Sequence, residues 1–161
     1  MNGAAPYRLL FVCLGNICRS PLAEGAMRAA AARAGVAVEV DSAGTGDWHV
    51  GRPPDPRAIA TAARHGIDIS GLRGRQVRIE DFDRFDRLIA LDADNLRNLR
   101  RLAPPSAGAL LSLLLDHAPG RQGQAVADPY FGEDAGFETA WADIMAGVDG
   151  LIAELRGQRS L

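Results

Sequence analysis

The run YRLLFVC at residues 7–13 constrains the fold more than any other stretch of the chain. Beyond Arg8 it holds no charged side chain and no polar–apolar alternation, the pattern of a strand covered on both faces in a parallel sheet. It ends at Gly15-Asn16, and Ser20-Pro21 then offers a cap residue and a first-turn proline for a helix. Alanine-rich sequence carries that helix to Arg33, and Gly35 ends it.

The same alternation continues. Residues 36–40 predict a second strand closed by the turn-rich DSAGTG at 41–46, and residues 56–65 a helix ended by Gly66. After a short acidic segment at 79–85 come a third strand at 87–91 and a helix at 93–102, stopped by Pro104-Pro105. ALLSLLL at 109–115 predicts a fourth strand, with helix an open alternative because of its leucines. Residues 118–134 predict an irregular loop and 137–156 a last helix. The expectation is an α/β fold: an open four-stranded parallel sheet with helices on both faces and a phosphate-binding loop after strand 1, in one domain spanning 1–161. In such sheets the reactive crevice lies beyond the carboxyl ends of the strands.

Composition removes several classes of function. With 18 basic and 20 acidic residues the net charge is −2, so bulk charge draws the chain neither to nucleic acid nor to an anionic membrane. Every basic residue other than histidine is arginine, which excludes a Schiff-base lysine and a P-loop lysine. The two cysteines, Cys13 and Cys18, are too close together for a disulfide scaffold and too few for a four-ligand zinc site. No apolar run reaches the length of a membrane span, and the cytoplasm is the expected location.

The segment Cys13-Leu14-Gly15-Asn16-Ile17-Cys18-Arg19-Ser20 joins the first strand to the first helix. A loop there can turn successive N–H groups inward above a helix N-terminus, and a phosphate fits such a cradle. Gly15 suits a left-handed turn, and Asn16 is the next most tolerant residue. Arg19 adds a planar fork for two phosphoryl oxygens. Donors that hold a dianion also stabilise a thiolate, which places Cys13 for in-line attack on phosphorus with Ser20 hydrogen-bonded to the sulfur.

CLGNICRS, together with DSAGT at 41–45, the Trp48 loop, His65-Gly66-Ile67 and DPYFG at 128–132, resembles the low-molecular-weight protein tyrosine phosphatases over essentially the whole chain. The resemblance implies hydrolysis of phosphotyrosine through a phosphocysteine on Cys13, without metal or other cofactor. It implies Asp128 as general acid and base, and Trp48 and Tyr130 as walls of the substrate pocket. His49 and Phe131 are expected beside them in the same two loops, while Ser42 and His65 are expected to support Asn16. A helix C-terminal position for His65 stays open, and Asp92 is expected to cap the helix that follows it. The implied partner is a tyrosine-phosphorylated protein, for which a bacterial tyrosine kinase is one candidate.

Four alternatives stand beside this reading. Thioredoxin-coupled arsenate reductases share the fold but need resolving cysteines outside the loop, and this chain has none. Protein-arginine phosphatases carry threonine where this chain has Ile17, whose apolar side chain suits a phenyl ring. A non-catalytic phosphate-binding module would be expected to lack the nucleophile or the acid. A metal-dependent phosphatase would need a carboxylate and histidine cluster with ligand-like spacing, which is not seen.

Overall fold

The computed structural model describes residues 5–160; residues 1–4 and 161 of the expected domain lie outside the described residues. The strands are β1 (Tyr7–Cys13), β2 (Val38–Gly44), β3 (Arg87–Ala90) and β4 (Leu110–Leu113). They form one parallel sheet in the order β2-β1-β3-β4. The helices are α1 (Arg19–Ala34), α2 (Pro56–Arg64), α3 (Asp81–Arg84), α4 (Ala93–Leu102) and α5 (Ala135–Ser160).

Side chains of β1 alternate between two cores, as the pleat requires. Leu9, Phe11 and Cys13 face α1 and α5 through Leu22, Met27, Ile144 and Leu151. Leu10 and Val12 face the other way, toward Phe82 and Phe85 of the α3 segment and Leu96 and Leu99 of α4. Helices thus cover both faces, and β1 is apolar throughout its central part because neither face meets water.

The order β2-β1-β3-β4 sends the chain to one side of β1 for β2 and to the other side for β3. The connections leaving β1 and β3 therefore diverge, opening a crevice at their carboxyl ends. Cys13 closes β1, and Asp92 follows β3 by two residues.

Several boundaries differ from the sequence expectation. β2 runs on through Asp41-Ser42-Ala43-Gly44, read from the sequence as a turn, because these residues pair with β1 from Leu10↔Asp41 to Cys13↔Gly44. Ladder pairing and burial override the turn propensity of Asp, Ser and Gly. The ALLSLLL run divides into strand β4 and a 3-10 turn at Leu114–His117, where the Asp116 side chain accepts from the Leu113 N–H at 2.9 Å. α1 begins at Arg19 with Cys18 as the cap residue, so Ser20 lies in the first turn and does not cap it. α5 extends beyond 137–156 at both ends.

Candidate active site

The loop from Leu14 to Cys18 is gripped from outside by its carbonyls. Cys13 O accepts from Thr45 N at 2.9 Å, Leu14 O from Gly46 N at 2.9 Å and Ile17 O from Asp55 N at 2.8 Å. With the carbonyls turned outward, the amides turn in. The Asn16 N–H points at Cys13 Sγ, 3.3 Å away. Among the described residues, nothing accepts from the N–H groups of Leu14, Gly15, Ile17 or Cys18. Together with the N-terminus of α1 they make a concave ring of donors, a geometry that favours an anion.

Asn16 carries the left-handed turn (φ 59°), a strained conformation for a residue with a side chain. Of the two residues the sequence offered for this turn, Asn16 takes it, while Gly15 lies under the ring of His49, where an added Cβ would sit 3.0 Å from Cδ2. Three hydrogen bonds hold Asn16. Its Nδ2 donates to Ser20 Oγ at 2.8 Å and to Ser42 Oγ at 3.1 Å, and its Oδ1 accepts from Arg75 N at 2.9 Å. Ser42 Oγ donates its own O–H to the buried Glu24 carboxylate at 2.7 Å, and Arg28 pairs with that carboxylate. Ser20 Oγ lies 3.0 Å from Cys13 Sγ, and the bond it accepts from Asn16 leaves its O–H proton free to meet the sulfur.

Arg19 is buried beneath the loop. Its Nη1 donates to Asp92 Oδ2 at 2.9 Å and to Val126 O at 2.7 Å, while Nη2 lies 3.7 Å from Asp128 Oδ2. Asp92 caps α4 as expected, its Oδ1 accepting from Asn95 N at 2.8 Å, and uses the second oxygen on Arg19. Asp128 is half-exposed and accepts from Tyr130 N at 3.0 Å, which turns the DPY segment back on itself.

These residues line one cleft of about 160 Å³, with Cys13, Cys18, Arg19 and Asp128 joined by Leu14, Ile17 and the rings of Trp48, His49, Tyr130 and Phe131. Phe131 meets Tyr130 edge-on at 4.8 Å and is 94% exposed, so it forms the outer lip and not a wall. Burial pushes the Cys18 thiol far up from its ordinary value, and the negative charges of Asp55, Cys13 and Asp128 add to the effect.

His65 is the one predicted site residue the structure places elsewhere. It ends α2, stacks on Trp141 at 4.7 Å and sits 2.9 Å from Glu138, so it joins α2 to α5 and does not touch Asn16. The bond to Asn16 Oδ1 comes instead from the Arg75 backbone, which no side-chain pattern announces. Glu24 was also missed, although a lone carboxylate four residues after Ser20 in an alanine-rich helix was a legible signal. Arg57 was missed as well; it crosses from α2 to the Tyr130 carbonyl at 2.9 Å.

A sequence profile of the family described as low molecular weight phosphotyrosine protein phosphatase matches residues 8–161. The chain belongs to that family. It is 46% identical to a low molecular weight protein-tyrosine-phosphatase of Streptomyces coelicolor over 157 residues, covering 94% of this chain and 95% of that one. The crystal structure of YfkJ from Bacillus subtilis superposes with a TM-score of 0.90 at 38% identity, covering 98% of this chain and 99% of that one. A Drosophila arginine phosphatase superposes with a TM-score of 0.86 at 31% identity, covering 91% of this chain and 96% of that one. Among the described residues of this family member, no helix is long and apolar enough to cross a membrane.

Proposed function

We propose that the chain hydrolyses phosphotyrosine in proteins, and small aryl phosphates, by a two-step displacement on Cys13. The observation that carries the reading is the convergence on one sulfur: Ser20 Oγ at 3.0 Å and Asn16 N at 3.3 Å, inside a ring of unpaired amides with Arg19 beneath.

In the first step the Cys13 thiolate attacks phosphorus, an S–P bond forms and the P–O bond to the phenol breaks. Arg19 and the loop amides bind the equatorial oxygens as charge builds on them. Asp128, beside Arg19 and at the mouth, gives its proton to the departing phenolate oxygen. In the second step Asp128 takes a proton from water as the water oxygen attacks phosphorus. The S–P bond breaks, inorganic phosphate leaves, and Ser20 hydrogen-bonds to the sulfur as it departs.

Trp48 and Tyr130 flank the cleft, and a phenyl ring between them bridges the mouth and the sulfur. Ile17 adds an apolar side chain to the lining, which favours an aryl group over a guanidinium. The partner is therefore a tyrosine-phosphorylated protein, met in the cytoplasm.

A chelator-treated assay on phosphotyrosine, phosphoserine, phosphoarginine and arsenate tests this reading. Turnover of phosphotyrosine alone, abolished in Cys13→Ser with the fold retained, is the expected result. Preferential turnover of phosphoarginine would move the chain to the arginine phosphatases, and loss of activity with chelator would end the cysteine mechanism.

A further inference from the structure

The loop that presents Asp128 is tied at its start by Val126, whose N–H donates to Leu91 O at 2.9 Å and whose carbonyl accepts from Arg19 at 2.7 Å; beyond that point its support is sparse. Residues 127–132 contain no helix or strand, and their internal bonds are the Tyr130 N–H to Asp128 and the Gly132 N–H to Pro129 O. Among the described residues, every hydrogen bond that reaches this segment from outside comes from one side chain, Arg57. Its Nη2 donates to Tyr130 O at 2.9 Å and its Nη1 to Gly132 O at 3.3 Å.

The other edge of the same guanidinium is anchored. Nε donates to Asp55 Oδ1 at 3.1 Å and Nη2 to Asp55 Oδ2 at 3.0 Å, and the group lies 4.7 Å above the ring of Phe137 in α5. Asp55 is itself locked to the phosphate cradle, since its backbone N–H donates to Ile17 O at 2.8 Å. A continuous path thus runs from the cradle through Ile17, Asp55 and Arg57 to the carbonyl of Tyr130, two residues past Asp128. The fork is needed because it meets a carboxylate and two carbonyls at once through Nε, Nη1 and Nη2, which a single ammonium group cannot do in this arrangement.

We propose that Arg57 is a positioning residue, which by clamping the Tyr130 and Gly132 carbonyls to Asp55 sets the place of Asp128 above the cradle. The proposal rests on the reading of Asp128 as the proton donor. Arg57 does not line the cleft, although its guanidinium lies 5.7 Å from the centre of the Tyr130 ring. Its loss should therefore be felt where proton donation matters and not where phosphate is bound.

The test compares kcat/KM, which reports phosphocysteine formation, on phenyl phosphate and on 4-nitrophenyl phosphate, whose leaving group needs little protonation. For Arg57→Gln the expected loss is about 10- to 50-fold on phenyl phosphate and under about 3-fold on 4-nitrophenyl phosphate. Competitive inhibition by inorganic phosphate should stay within about twofold of wild type, because the cradle amides and Arg19 are untouched. Arg57→Lys, which keeps the charge but not the fork, should fall between the two; it carries the same comparison if Arg57→Gln does not fold. Adding Arg57→Gln to Asp128→Asn should cost little further on phenyl phosphate, since one function is lost in both. Equal losses on the two substrates, phosphate inhibition weakened in step with activity, or a Lys variant matching wild type would each overturn the proposal. Asp128→Asn alone separates the two failures. Without a leaving-group effect there, the acid assignment falls; with one there and none in Arg57→Gln, only the clamp falls.

Discussion

Asp92 holds Arg19 by a 2.9 Å bond from Nη1 to Oδ2 while its other oxygen caps α4. One carboxylate therefore aims the phosphate-binding guanidinium and starts the next helix. Asp92→Ala should lower phosphotyrosine kcat/KM by about tenfold and weaken inhibition by inorganic phosphate, because the buried Arg19 loses its nearest carboxylate. It should also cost about 1 kcal/mol of stability through the lost cap. Asp92→Asn keeps one acceptor oxygen, which can serve the cap while its amide N–H faces the Arg19 guanidinium; it should leave thermal stability nearer wild type and retain the kinetic loss.

The two glycines against the loop should respond differently to alanine. A Cβ on Gly44 would stand 2.7 Å from the Leu14 carbonyl oxygen, part of the cradle backbone, so the loop itself must move. A Cβ on Gly15 would meet side chains alone, His49 at 3.0 Å, which can swing aside, and Ile17 at an ordinary 3.9 Å. Gly44→Ala should therefore weaken phosphate inhibition by at least about tenfold, and Gly15→Ala by less than about threefold. Equal effects would contradict the close approach of β2 to the loop.

Asn16 combines a left-handed backbone with three hydrogen bonds. Asn16→Gly removes the strain and the bonds together, whereas Asn16→Ala removes the bonds and keeps the strain. Both should reduce turnover by about tenfold or more through Ser20 and the cradle. Only the alanine variant should lose a further ~1 kcal/mol in chemical denaturation.

Alkylation should distinguish the two thiols. Burial, first, and then the charges of Asp55, Cys13 and Asp128 raise the Cys18 thiol, so it stays protonated and unreactive at neutral pH. Iodoacetate should add one equivalent, located on Cys13 by peptide mass mapping and blocked by inorganic phosphate. Label on Cys18 would contradict this.

The contact between α2 and α5 should depend weakly on acid. Hydrogen bonds from His65 and then from Arg64 hold the Glu138 carboxyl below the ordinary carboxylate range. A depressed folded-state value means that the stabilisation is present above the unfolded value of roughly 4.3 and is lost as pH falls through the folded one. Because the group is half-exposed, Glu138→Gln should cost under about 1 kcal/mol at pH 7, and the difference should shrink toward zero below about pH 4. Denaturation of the two proteins at pH 7 and pH 3 measures it.

Cys13 to Ser20 could be read from the sequence because the cradle is contiguous. An apolar strand, a tight loop and a helix start place nucleophile, amides, Arg19 and Ser20 by backbone geometry alone. The alternation of apolar runs likewise determined a parallel sheet covered on both faces, since a strand without a polar side has no other environment. Tertiary structure decided the rest. It extended β2 through a turn-like segment by pairing it with β1, took His65 to Trp141, and gave Asn16 the Arg75 amide. It also brought Asp92, Asp128 and Arg57 to the cradle from segments far apart in the chain. Such contacts depend on strand order and on where irregular loops return, and neither leaves a periodic trace in the sequence.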